Sequence, residues 1–466
     1  MKNMQTCLGG LALLIASLIL SSCNSGINSS ASQQTLTVAK TITTKALQTT
    51  PQDINNTSFV AIAKGNGVYV AVGENGNIAY STDGNSWNIV TIVDGISLHG
   101  VTFNSYNNLF YIVGDNGSVY SSVNGRSWTA YKNLNPARDL YSVMSVDGNL
   151  VIGAESSTIF EISVKQRGLV TERSTVDNMK LISATYGNGV MVLGSNDGSI
   201  LYKLASNWST GTWNRATKFP NTAINGLSFE SVDNWYIAAT STGTVTSSAN
   251  GINWSTPVMA KSGDLTSIVL DQYSNNFIVV GLARSSIIAN SSDFNAWSAD
   301  EWLPVNVKLN SINCFDKNDC FAVGNNGTIL SGVERSTDTK LPIWKIVFGY
   351  DITIVPSGAS YNNQNGTKNV VLFDNHVLKF VLQSDANLVC YDDKTDLPLW
   401  ASRTNVDIQT RAGSMQMRTD GSLYVSGSYE YSSYTNSPGA YIIYRPKDKS
   451  INIISADGKT ILKKLC

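Results

Sequence analysis

Charge is scarce in this chain. Lys, Arg, Asp and Glu make up 14% of its 466 residues and nearly cancel, at a net charge of −1, whereas about a quarter of an average soluble chain is charged. No basic stripe forms, which excludes nucleic acid as a partner. Histidine is scarcer: His99 and His376 are the only two, far apart and without metal-ligand spacing. The chain has no HExxH, GxSxG, P-loop or EF-hand pattern, so neither a metal nor a cofactor is expected. Long apolar runs are missing too, apart from LGGLALLIASLIL at 8–20, which is too short to read as a spanning helix.

Asn, Ser, Thr and Gly fill the space between short apolar runs, as suits an exported β-protein with a neutral hydrogen-bonding surface. At the N-terminus, Lys2, the apolar run and then LSSC follow the order of an export signal. LSSC resembles the lipobox of bacterial lipoproteins. That resemblance implies a signal peptide over 1–22, cleavage before Cys23 and lipidation of Cys23. Asn24 stands where the inner-membrane retention signal of such proteins has Asp, implying outer-membrane delivery in a cell that has one. Residues 23–57 are rich in Ser, Thr, Gln and Asn and read as a flexible tether, with TLTVAKTIT as a possible edge strand. Cys7 leaves with the signal, so Cys314, Cys320, Cys390 and Cys466 remain. In an oxidising compartment these pair most simply as Cys314–Cys320, clipping the turn FDKND, and Cys390–Cys466, tying down the chain's end.

Residues 58–347 repeat. FVAIAKGNGVYVAVGENGNIAYSTDGNSW from Phe59 aligns with VTFNSYNNLFYIVGDNGSVYSSVNGRSW from Val101, and the frame returns five more times. Gly73, Gly114, Gly153, Gly194, Thr240, Gly281 and Gly324 are read as one equivalent position, at intervals of 39 to 46 residues. Four short strands per unit and seven units predict a seven-bladed β-propeller. Small residues in YVAVG and CFAVG are expected to let innermost strands crowd a channel. Trp87, Trp128, Trp254 and Trp344 are expected to cap blade contacts, and each blade to be complete within its repeat. The repeat resembles BNR-like propellers of the photosystem II assembly-factor type. STDGNSW is similar to the Asp-box of sialidases but one residue shorter, and Asp-box turns lie away from catalytic centres. The resemblance implies a binding or scaffolding propeller rather than an enzyme.

After Val347 the period breaks, and residues 348–466 form a second β-rich unit. LQSDANLVCYDD alternates polar and apolar residues as on a half-buried strand. Gln383, Asp385 and Asn387 would line one face with Val389 and Tyr391, spanning adjacent sugar hydroxyls with donors, acceptors and an apolar contact. The five match Q-x-D-x-N-x-V-x-Y, and this unit resembles the bulb-type, monocot mannose-binding lectins. That resemblance implies a β-prism II fold, mannose-type glycans as partners and Trp400 at the prism centre. Arg403, in LPLWASRTN, departs from the Asn of the family's segment. The other faces keep only their aspartates: Arg418, Asp420, Ser422, Tyr424 and Ser426 on one, and Ser455, Asp457, Lys459, Ile461 and Lys463 on the other. The tyrosines of YEYSSYTNSPGAYIIY are read as edge-strand packing, with sugar stacking the alternative.

The expectation is an all-β, surface-anchored carbohydrate-binding lipoprotein acting in recognition or adhesion, with the propeller as an interaction scaffold for protein. Two alternatives stand: a propeller glycoside hydrolase with an appended carbohydrate-binding module, and an assembly lipoprotein whose propeller binds protein.

Overall fold

Seven four-stranded antiparallel sheets follow one another, over residues 59–91, 98–133, 140–174, 181–218, 224–259, 264–299 and 309–348. The computed structural model describes residues 57–466 except 93–94, 135–137, 167, 176, 232–233, 284–285, 300–306, 317–318, 335–341, 349–351, 356–358, 363–368, 375–377, 393–394, 405–413, 427–428, 446–447 and 457–459. The signal segment, Cys23 and most of the tether lie outside the described residues. The first strand of each sheet neighbours the first strand of the next, and the seventh neighbours the first. That closes a seven-bladed propeller in which every blade is built from its own repeat. The first strands are therefore innermost. YVAVG and CFAVG are second strands, and their alanines Ala71 and Ala322 are buried among neighbouring side chains rather than lining a channel. Tight Asn66–Gly67, Asp147–Gly148 and Asn188–Gly189 turns, both residues at positive φ, connect first to second strands, with the twist that antiparallel hairpins favour.

Every innermost strand carries a β-bulge at the same place. The pairing register skips one residue per blade: Val60, His99, Tyr141, Ile182, Asn225, Thr266 and Asn310. Among the described residues, the carbonyl just before the bulge receives a side-chain hydrogen bond from the preceding blade at five of seven junctions. Ser142 Oγ donates to Leu181 O at 2.9 Å, Ser183 Oγ to Ile224 O at 2.7 Å and Asn225 Nδ2 to Leu265 O at 2.7 Å. Thr266 Oγ1 donates to Leu309 O at 2.6 Å, and Asn310 Nδ2 closes the ring on Phe59 O at 2.9 Å. Each such bond contributes roughly 0.5–1.5 kcal/mol net.

This register corrects the alignment of the glycines. Opposite the residue before the bulge stand Gly73, Gly114, Ala154, Ser195, Thr240, Gly281 and Gly324, so Gly153 and Gly194 belong one residue earlier. A Cβ on Gly73 would lie 2.0 Å from Ser58 O, whereas on Gly153 and Gly194 it would strike the Ser142 and Ser183 hydroxyls at 2.5 and 2.4 Å. The first glycine admits backbone; the other two make room for the serine hydroxyls that bond the next blade.

Asp-box-like turns stand on the outer side of four blades. Asp83 Oδ1 accepts the Asn85 and Ser86 N–H groups at 2.8 and 2.7 Å, and Trp87 Nε1 donates to Gly84 O at 3.1 Å. The Ser86 and Asn85 N–H groups hold the Asp83 carboxyl at about 2, below its ordinary 3.8. Asn124 and Asn250 make the same turn, ending in Trp128 and Trp254. The fourth copy is Ser291–Trp297, where Phe294 takes the left-handed position at φ 66° that glycine holds elsewhere. Trp297 thus joins the expected set, and Trp344, within the strand Pro342–Phe348, is 3% exposed in a core shared with Val280 and Ile288 of the sixth blade.

Of the junctions that use charge among the described residues, two are the most buried. Between blades seven and one, Asp319 accepts from Lys64 and from Tyr69 Oη, the latter at 2.7 Å, while Phe321 packs on Tyr69 and Trp87. Asp319 belongs to the loop clipped by the Cys314–Cys320 disulfide. Between blades three and four, Lys203 and Glu161 are each 1% exposed and lie 2.6 Å apart. Trp213 Nε1 and Arg173 Nε donate to the same carboxylate at 3.0 and 3.1 Å. Burial pushes the Lys203 ammonium below its ordinary value.

Three more four-stranded sheets follow, nested in order. Ile352–Val355 pairs with Tyr441–Arg445, Ser360–Asn362 with Ser414–Met417, and Val370–Asp374 with Leu378–Leu382. Alternate residues of all three meet in one core: Phe380 and Leu382, Leu388 and Cys390, Met415 and Met417, Leu423 and Val425, Ile442 and Tyr444, Ile451 and Ile453. This is the threefold arrangement of a β-prism. Trp400 is half-buried at its edge, 5.4 Å from the Tyr431 ring. Cys390 is bonded to Cys466, across 76 residues.

The buried pair should be costly to halve and cheap to replace. Glu161→Gln leaves the Lys203 ammonium unpaired and should destabilise the chain by roughly 3–5 kcal/mol, whereas Glu161→Met with Lys203→Met should come near neutral. Urea unfolding followed by tryptophan fluorescence measures both; equal loss in the single and double variants would contradict a desolvated pair. Of the two disulfides, Cys390–Cys466 closes the longer loop, and its removal should cost more, within roughly 2–4 kcal/mol. Thermal unfolding of the two Cys→Ser pairs tests that order.

Candidate functional site

The polar row expected on one strand is broken by a turn. Leu378–Leu382 ends before Gln383, and the next strand is Leu388–Asp392. In between, Gln383 N donates to Asn387 O at 2.8 Å and Ala386 N to Gln383 O at 3.0 Å, with Ala386 at φ 68°. Asp385 Oδ1 accepts the Asn387 N–H at 3.0 Å. Asp and Asn favour such turns because their short side chains bond nearby backbone, and that chemistry overrides the apparent period of two. Only Val389 and Tyr391 of the five lie on the strand.

Asn387 is largely committed to the fold. Its Oδ1 accepts from Arg403 N at 2.8 Å, Ser402 Oγ at 3.1 Å and Thr404 N at 3.3 Å. Ser402 Oγ in turn accepts the Leu388 N–H at 2.9 Å, and Thr404 Oγ1 donates to Ala386 O at 2.6 Å. Val389 is 2% exposed, so it offers a sugar ring almost no apolar surface. Gln383, Asp385 and Tyr391 are half-buried at the solvent side. Gln383 Nε2 donates to Tyr391 Oη at 2.7 Å, which leaves the phenol O–H to donate onward. Among the described residues Asp385 Oδ2 has no hydrogen-bond partner. A carboxylate acceptor and a phenol donor suit hydroxyls that each donate and accept.

The second face repeats the framework without the pair. Asp420 Oδ1 accepts Ser422 N at 2.8 Å, Ser433 Oγ accepts Leu423 N at 2.8 Å, and Thr435 Oγ1 donates to Gly421 O. Arg418 replaces Gln383 and stacks over Tyr424 at 3.7 Å, and Ser426 replaces Tyr391. The aspartate and the Ser-x-Thr clip are therefore common architecture. On the third face Ser455 N donates to Thr460 O at 2.9 Å, Ile461 and Lys463 lie on the strand Ile461–Lys464, and Asp457 and Lys459 lie outside the described residues. The tyrosines divide: Tyr431 and Tyr444 pack inward, whereas Tyr429 and Tyr434 are 69% and 80% exposed.

The propeller carries a second candidate, which periodicity did not reveal. Bulges re-aim side chains at sheet rims, and here all seven bulge residues are half-buried around one mouth. Asn225, Thr266 and Asn310 bond across to the next blade. Among the described residues Val60, His99 and Ile182 make no such bond, and with Tyr141 they form a separate arc. Its polar centre is held by His99 Nε2, 2.6 Å from Asp115 Oδ1, and by Lys180 Nζ, which donates to Tyr141 Oη at 2.7 Å. That bond raises the Lys180 ammonium above its ordinary value. The His99 and Tyr141 rings lie 5.1 Å apart.

No family model and no curated protein matches the chain. Among solved structures it is similar to the WD40 β-propeller domain of Doa1, at 14% identity and a TM-score of 0.46, over 58% of this chain and 90% of that one. It is also similar to the structure of YCF48 bound to D1 peptide, at 17% identity and a TM-score of 0.50, over 63% of this chain and 100% of that one. At such identity the second likeness is one of fold, and it agrees with the sheet topology: this all-β chain contains a β-propeller.

Proposed function

We propose that the chain is an exported, lipid-anchored recognition protein, a binder rather than an enzyme, that takes a mannose-type glycan on the first prism face. One observation carries this reading. The second face builds the same turn and clip without Gln383 and Tyr391, so the fold does not require their bond, yet on face one they stand beside a carboxylate oxygen that has no hydrogen-bond partner among the described residues. The quoted lectin pattern adds to it, reduced by the commitment of Asn387 and the burial of Val389 to three working side chains. Sites this shallow hold single sugars on the order of millimolar.

The propeller serves the same protein as a docking scaffold for a protein partner. The arc Val60–His99–Tyr141–Ile182 favours this, as the part of the mouth where, among the described residues, no bulge side chain bonds the carbonyl before the next bulge. The peptide in the YCF48 structure shows that one propeller of similar fold takes such a ligand. Through lipid on Cys23 the molecule would sit at the cell envelope, on the outer membrane where there is one.

Asp385→Asn should remove most sugar binding, roughly 1.5–3 kcal/mol, because it puts a neutral amide where a charged acceptor meets a sugar hydroxyl. The melting temperature should barely move, since the amide oxygen still accepts the Asn387 N–H, and Asp420→Asn should leave binding intact. Calorimetric titration with methyl mannoside checks this; equal loss from both variants would make the aspartates architectural only. Cys23→Ser should release the chain from membranes without changing its melting temperature, because acyl chains contribute roughly 0.8 kcal/mol per buried CH₂. Membrane fractionation reads the outcome, and continued partition would place the anchor in the apolar run at 8–20 instead.

A further inference from the structure

The clip that braces each turn has a residue at its middle whose backbone is left-handed and whose side chain points to solvent. On face one it is Arg403, at φ 59° between buried Ser402 and Thr404. On face two it is Tyr434, at φ 53° between Ser433 and Thr435, and 80% exposed. Glycine or asparagine adopts this conformation at least cost, so backbone economy does not account for either residue. Both positions adjoin their turns: Arg403 N lies 2.8 Å from Asn387 Oδ1, which fixes its Cα at the edge of the Gln383–Asn387 loop.

Arg403 is exposed, and among the described residues no carboxylate pairs with it. The site beside it carries a negative charge of its own, Asp385, which by itself would repel an anionic sugar. A guanidinium at the rim offsets that charge and offers a fork of N–H donors matched to carboxylate or phosphate. Resting on the glycan reading of face one, we infer that Arg403 is the specificity residue of this site and selects a mannose-type sugar bearing an anionic substituent. Face two, with Tyr434 in the same place and Arg418 stacked on Tyr424, lacks this selector.

The test uses the full-length chain in detergent, titrated with methyl mannoside, mannose 6-phosphate and mannuronate at low and high salt. The phosphate and the carboxylate separate the two sources of charge. The inference expects at least one anionic sugar to bind about tenfold more tightly than methyl mannoside, as a charge-assisted contact allows, with the advantage shrinking at high salt. Arg403→Asn, which suits the left-handed backbone and should fold, is expected to erase the preference while methyl mannoside binding stays. Arg403→Lys should keep part of it, and Tyr434→Asn should change nothing. Equal binding of all three sugars by the parent, or a preference that survives Arg403→Asn, overturns the inference and leaves the glycan reading standing. Binding of no sugar overturns both.

Discussion

A bulge leaves a backbone carbonyl pointing out of its sheet, and seven bulges around one axis leave seven. What becomes of those carbonyls organises the propeller. An unpaired buried carbonyl costs as much as a lost hydrogen bond, so each blade must either supply its neighbour with a donor or leave the mouth open to another one. Five junctions supply it, through two serines, two asparagines and a threonine. Where the donor is serine, one residue after the bulge, the facing residue has to be Gly153 or Gly194. At the junctions of blades one and two and of two and three, the corresponding positions hold Val60, Ala61, His99 and Gly100, and no side-chain donor from them is described. Ring closure and the chemically distinct arc of the mouth are thus two outcomes of one constraint.

The repeat was legible because hydrophobic alternation and Asn-Gly or Asp-Gly turns recur at a near-constant period, and both come from local physics. Blade count and strand count follow from them, and the two disulfides follow from the even set of four cysteines. The one-residue misplacement of Gly153 and Gly194 has a different origin. Glycine answers two separate demands here, backbone approach in most blades and room for a serine hydroxyl in two, and identical letters hide which applies. The fourth Asp-box-like turn was invisible for the reverse reason: Phe294 fills a left-handed site where Gly84, Gly125 and Gly251 mark the others. Its strain is offset by packing against Phe277 and Trp297. The bulges leave no mark in sequence, since any residue type can occupy them.

The candidate sugar site shows how a correct list of residues can come with a wrong arrangement. Alternation of apolar residues placed Gln383 to Tyr391 on one strand, yet Asp385 and Asn387 are residues whose side chains compete for backbone N–H groups. The turn they make leaves the site composed of two elements, a loop edge carrying Gln383 and Asp385 and a strand carrying Tyr391. A row on a sheet would be rigid by pairing alone. A loop edge needs bracing, and the Asn387–Ser402–Thr404 network provides it. The residue most easily mistaken for a sugar ligand is therefore the one that holds the ligands in place.

The same economy explains the composition. Neutral polar residues suit a solvated surface, yet many of the serines and threonines are buried: Ser81, Ser122, Ser248 and Ser291 in the outer turns, Ser142 and Ser183 at the blade junctions, Ser402 and Thr404 in the clip. Each bonds backbone that a bulge or turn has left without a strand partner. A hydroxyl or amide can do this inside a blade junction at modest desolvation cost, whereas a charge requires a full complement of partners. Among the described residues only the Glu161–Lys203 junction meets that demand deep in the propeller, with Arg173 and Trp213 completing the shell. A chain built from bulged strands and tight turns has many such backbone groups to satisfy, and scarcity of charge is the compositional consequence.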